Sequence, residues 1–115
     1  MKKLNESFIE VKKSKFIGLL YEVNSVDEVT KIIEELKKEH KKARHIVYAY
    51  CINGQEKNYS DKEPNGTTRS LIDLLHIKNK NNHLIIVIRY FGGILLGSGN
   101  LTRTYTKVSS MLFIE

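Results

Sequence analysis

The chain has 115 residues, a formal net charge of +6, 41% hydrophobic and 28% charged residues, and a single proline. These figures exclude a largely disordered chain and fit one domain, since domains cluster at about 100–150 residues. The longest strongly apolar run, Leu84–Ile88, is five residues, where a membrane span needs about 20; Met1-Lys2-Lys3 is followed by Asn5, Glu6 and Ser7 instead of the apolar stretch of a secretion signal.

Phe8–Lys13 and Lys15–Val23 alternate well enough to be two strands, with Lys13-Ser14 as their tight connection. Ser25-Val-Asp-Glu28 is a capping box, and Val26, Val29, Ile33 and Leu36 then recur at helical spacing, which predicts a helix to about His40 or Lys42. Its lysine-rich end (Lys37, Lys38, Lys41, Lys42) complements the negative pole of the helix dipole, or else forms a binding patch. His45–Ile52 reads as a strand that is apolar on both phases and so central in a sheet. Asn53–Gly66 reads as a polar loop, Thr67–His76 as a short helix and Asn79–Asn82 as a turn. Leu84–Tyr90 is a buried strand, Gly92 to Gly99 a glycine-rich link, and Leu101, Tyr105, Val108 and Leu112 mark a last helix. The order β-β-α-β-α-β-α implies an α/β (α+β) two-layer sandwich, with helices packed on a sheet of about four strands. No repeat, linker or second domain is visible, so residues 1–115 are read as a single domain.

Cys51, the only cysteine, sits in the His45–Ile52 strand and is expected to pack as a small hydrophobe. His40, His45, His76 and His83 lack metal-ligand spacing, so neither a metal site nor a cofactor is expected. Charge is more informative. Each side of Arg44 carries +3, yet between Asp73 and Glu115 there is no acid, while Lys78, Lys80, Arg89, Arg103 and Lys107 all fall there. A one-signed surface of that kind suits a phosphate-bearing partner, although a lysine-, asparagine- and isoleucine-rich composition produces the same pattern without any partner.

Within that stretch, Gly92, Gly93, Gly97 and Gly99 lie between a buried strand and a helix, with Ser98 among them. Strand, glycine loop and helix form the general recipe for an anion cradle, which Arg89, Arg103 and Lys107 could face; the competing reading is a sharp chain reversal under a close helix–sheet contact. The segment is neither a Walker A motif nor a dinucleotide fingerprint. A second segment, Asp61-Lys-Glu63-Pro64-Asn-Gly66-Thr67-Thr68, offers two carboxylates for acid–base work, but a turn leading into a capped helix uses the same residue types.

These two segments carry a resemblance. Glu63-Pro-x-Gly-Thr67, Arg89-Tyr-Phe-Gly-Gly-x-x-Leu-Gly97 and Leu101-x-Arg103-x-Tyr105 resemble the IMPACT/YigZ family, as do Lys13-Ser-Lys-Phe-Ile-Gly18, Ala43-Arg-His45 and Tyr48-Ala-Tyr50. The chain departs from the family pattern at Ser60, Lys62, Asn65, Thr68 and Arg69, where Asp, Gly, Ser, Ala and Gly are usual, and at Asn100 and Thr104. The resemblance implies the ribosomal protein and ribonuclease PH type of α/β fold. It also implies a ferredoxin-like second domain in bacterial relatives, which is expected to be absent here. The family's eukaryotic branch regulates translation by binding the activator of a starvation-responsive kinase. The function expected is therefore a non-enzymatic, cytoplasmic, translation-associated module that contacts RNA, the ribosome or a translation-regulatory protein. The alternative is a small phosphate- or nucleotide-binding enzyme that uses the glycine loop with Asp61 and Glu63.

Overall fold

A computed structural model describes residues 1–64 and 66–114; Asn65, one of the departures from the family pattern, and Glu115 lie outside the described residues. Strands β1 (Lys2–Val11) and β2 (Ser14–Glu22) lead into helix α1 (Val26–Glu39). Strands β3 (His45–Ile52) and β4 (Gln55–Tyr59) follow, then α2 (Arg69–Ile77), β5 (His83–Tyr90) and α3 (Ser98–Ser110), which ends in a 3-10 turn at Met111–Phe113. The strands form one antiparallel sheet in the order β1-β2-β5-β3-β4.

The last strand in the chain is thus the middle of the sheet. Residues Leu84 to Ile88 have essentially no exposed surface, and a strand that is apolar on both phases must be covered on both faces. Leu84, Ile86 and Ile88 pack with Val29, Ile32, Ile33 and Leu36 of α1. Ile85 and Val87 pack with Leu71, Leu75, Leu101, Tyr105 and Val108 of α2 and α3 on the other side. The expected α/β sandwich with helices on the sheet is what forms. Among the described residues it has five strands instead of about four, and its helices are divided between the two faces because the middle strand needs both covered.

The extra strand is β4, which replaces part of the loop expected over Asn53–Gly66. Every residue of Gln55–Tyr59 is exposed, so no apolar alternation marks it. Its turn, however, is written in the sequence. Asn53 and Gly54 both have positive φ between the paired Ile52 and Gln55, as a type I′ hairpin requires.

The first hairpin turns at Lys12-Lys13, one residue earlier than expected: Val11 pairs with Ser14, and both lysines have positive φ (47° and 67°). Helix α1 begins as predicted. The Ser25 side chain accepts from the Glu28 amide (3.3 Å), and Glu28 reaches back to accept from the Asn24 amide (2.8 Å). Cys51 is buried in β3, its thiol donating to Asn81 Oδ1 at 3.3 Å.

Candidate functional site

The glycine loop is clamped at its start and open at its end. A Cβ on Gly92 would lie 2.1 Å and 2.2 Å from the carbonyl carbon and oxygen of Lys13. The Gly92 amide donates to Ser14 Oγ at 3.2 Å. Gly92 is therefore the surface on which the strained Lys12-Lys13 turn rests, and only a residue without a side chain allows that approach. Gly93 follows with φ of +88°, a conformation that L side chains rarely adopt. Gly97 and Gly99 play a different part. Neither has positive φ; Gly97 is the N-cap of α3, with no side-chain capping bond, and Gly99 lies in its first turn. The loop is thus a tight reversal at Gly92-Gly93 followed by a helix start at Gly97–Gly99 without a side-chain cap.

Beneath the loop lies a buried polar network. The chain leaves β4 through a turn in which Asp61 and Lys62 have positive φ and the Glu63 amide donates to the Ser60 carbonyl at 2.9 Å. That reversal aims Glu63 into the interior, where only 6% of it is exposed. Arg89, also 6% exposed, donates from Nη1 to both Glu63 oxygens at 3.0 Å and 2.9 Å. Tyr105 of α3 donates its hydroxyl to Glu63 Oε2. Burial, reinforced by that hydrogen bond, raises the Tyr105 phenol far above its ordinary range.

His45 bridges outward, with Nε2 at 3.3 Å from Glu63 and Nδ1 at 3.4 Å from Asp61. Asp61 in turn accepts from the Ile46 amide (2.9 Å) and the Tyr59 hydroxyl (3.2 Å). Following the β3–β4 register, in which Tyr48 faces Tyr59, Asp61 stands opposite Ile46. Its carboxylate takes the amide that the strand ladder no longer satisfies. Both carboxylates are thus engaged in holding the turn, β3, β5 and α3 together. Of the rest of this segment, Thr67 is fully buried and donates its hydroxyl to the Pro64 carbonyl at 2.7 Å, while Gly66 supplies another positive φ.

The three cations expected on one surface are separated by burial. Arg89 is drawn inward by Glu63. Arg103 and Lys107 remain exposed, four residues apart on α3, and therefore on one face of the helix. The Arg103 guanidinium folds back over the first turn: it donates to Asn100 Oδ1 and would lie 3.4 Å from a Cβ on Gly99. Ser98 is exposed beside it.

Sequence reasoning did not place Arg44, His45, Phe91 or Tyr105 among the site residues, although all four lie in or beside the quoted motifs. Arg44 is exposed and stacks its guanidinium 4.6 Å from the Phe91 ring centroid. Arg89 lies 5.9 Å from the same ring. Together with His45 and Leu95, these three residues line a cleft of about 130 Å³.

Comparison with known proteins shows the family and the fold. The chain is 36% identical over 111 residues to the IMPACT family member YvyE of Bacillus subtilis, covering 93% of this chain and 51% of that protein. It is 34% identical over 102 residues to the IMPACT family member YigZ of Escherichia coli, covering 84% and 50%. A crystal structure of a hypothetical protein superposes with a TM-score of 0.87 at 28% identity, over 96% of this chain and 58% of that one. The chain spans about half the length of these curated relatives. Residues 12–113 match the Impact N-terminal domain, and the chain belongs to the IMPACT family.

Proposed function

We propose that this domain is a non-enzymatic, translation-associated regulatory module that contacts RNA through the start and outer face of α3. One observation carries the reading. Arg103 and Lys107 share an exposed helix face, within a stretch that holds no carboxylate from residue 74 to residue 114. Arginine forks pair with phosphate oxygens and lysine adds a point charge, while the uncapped amides at Gly97–Gly99 add partial positive charge beside them. Translation regulation, which the resemblance implies for the eukaryotic branch, gives the biological setting. The engagement of Asp61 and Glu63 in the buried network speaks for a binding module over an acid–base enzyme.

Filter binding of a single-stranded RNA across a salt series tests this. Affinity should fall with a slope of about −0.7 in log K per log salt for each phosphate contacted. Arg103→Ala should weaken all sequences alike and flatten the slope by about one contact. Wild-type binding that ignores salt, or no binding at all, removes the RNA reading. A second reading, contact with a translation-regulatory protein, is favoured by the loop tip between the two glycine pairs, where Leu95 is 83% exposed and Ile94 43%.

A further inference from the structure

We infer that the cleft between Arg44 and Arg89 is a seat for a single phosphate group. This deepens the RNA reading and rests on it for the ligand's source. Two guanidinium groups converge on one aromatic ring, Phe91, at 4.6 Å and 5.9 Å. Two cations lining one cleft call for counter-charge, and the protein supplies it to one of them. Glu63 answers Arg89, but among the described residues no carboxylate lies within ion-pair distance of Arg44. Asp61 and Glu63 are already taken by His45, the Ile46 amide, Tyr59, Tyr105 and Arg89.

Arg89 itself is incompletely used. Both bonds to Glu63 come from Nη1, and the buried Nε has no partner among the described residues. A buried guanidinium N–H without an acceptor is costly, and an anion that accepted from it would remove that cost.

Size sets the ligand class. The cleft holds about 130 Å³, close to four times the ~30 Å³ share of a liquid water, and well below the roughly 300 Å³ at which pockets for whole organic ligands begin. A phosphate group fits this volume. One uncompensated positive charge matches the single charge of a phosphodiester, whose two non-bridging oxygens can meet two guanidinium groups at once. The surface entrance, flanked by the exposed Arg44 and Leu95, would let the rest of a strand continue along the protein.

The experiment follows the arginine side-chain Nε–Hε resonances of the full chain by NMR at constant ionic strength. One arm titrates inorganic phosphate, with chloride and acetate as controls, and the other titrates an octauridylate. Phosphate should shift the Arg44 and Arg89 signals saturably. Arg44→Gln, at an exposed position, should weaken phosphate about tenfold, as expected for one charge-assisted contact, and leave the melting temperature unchanged. Chloride or acetate acting as well as phosphate, or an Arg44→Gln variant with undiminished affinity, would overturn the inference. If phosphate saturates the cleft and octauridylate leaves Arg44 unmoved, the seat stands with free phosphate as its ligand, and the RNA reading is decided by the Arg103→Ala salt series alone. If octauridylate binds with the expected salt slope and Arg44→Gln changes nothing, the RNA reading stands and the seat falls.

Discussion

The two faces of β5 are held by different physics. Toward α1, Leu84, Ile86 and Ile88 pack in a cluster of apolar side chains flanked by aromatic residues. Toward α2 and α3, Ile85 and Val87 do the same, but the next inward position is Arg89. There the core ends on a charge whose partners come from a turn (Glu63) and from α3 (Tyr105). An apolar contact degrades gradually as volume is lost, because each lost methylene removes a small, roughly fixed amount of burial. A buried ion pair fails abruptly, because removing one partner leaves the other uncompensated in a poorly solvating interior. The polar end therefore contributes little net stability compared with an apolar replacement, yet it makes the position of three chain segments conditional on one another.

The largest expected effect follows directly. Glu63→Ala should cost about 3–5 kcal/mol in urea unfolding, the range for breaking a buried pair, whereas Ile86→Val on the other face should cost about 0.5–1.5 kcal/mol. The double variant Glu63→Met with Arg89→Met should recover more than half of the Glu63→Ala loss, since well-packed apolar replacements of buried pairs are often close to neutral. Equal losses for Glu63→Ala and Ile86→Val would erase the distinction between the two faces.

The glycines sharpen it further. Gly92→Ala should cost more than about 2 kcal/mol, because the new Cβ collides with the Lys13 backbone, and relief requires moving the hairpin turn. Gly93→Ala should cost about 1–2 kcal/mol from its positive φ alone. Gly97→Ala and Gly99→Ala should stay within about 1 kcal/mol, since both backbones suit an L residue and nothing but the movable Arg103 tip lies nearby. The four sites are thus unequal, where the glycine-loop motif by itself would have treated them alike. Thermal melts of the four single variants check the ranking.

The smallest effect is alkaline. The Tyr105 phenol, held neutral by burial and by Glu63, has its pKa raised above the ordinary value of 10.0. The folded chain therefore keeps a proton that the unfolded chain loses. This contribution is whole below about pH 10 and is lost as pH rises above it, at a slope near 1.4 kcal/mol per pH unit for one proton. Stability measured from pH 9 to 11 should fall less steeply in Tyr105→Phe than in the wild type. Parallel curves would mean that the Tyr105 environment ionises as freely as an exposed phenol.

Parts of this arrangement are readable along the chain. His45–Ile52 has the same bounds in sequence and structure, because both its ends carry strong signals: polar residues before it and Asn-Gly after it. The capping box at Ser25 sets the start of α1 for the same local reason. Strand β4 escapes the hydrophobic pattern because it lies at the sheet edge with no face to bury. The Lys12-Lys13 turn escapes turn chemistry, since two lysines at positive φ are unfavourable alone and are held there by packing on Gly92.

What the sequence determined by itself is whatever depends on neighbours within a few residues. That includes the capped amphipathic helix, the doubly apolar β5 that demands a covered sheet, and motifs specific enough to place the chain in its family. Only the tertiary structure decided the rest. It put β5 at the centre of the sheet, withdrew Arg89 from the surface, left Arg103 and Lys107 outside, and brought Arg44 and Arg89 to the same ring. The physical reason is that charge and hydrogen-bonding groups act through distance and burial. Glu63 and Arg89 lie 26 residues apart in the chain, and nothing in either residue's own neighbourhood specifies that the two will meet.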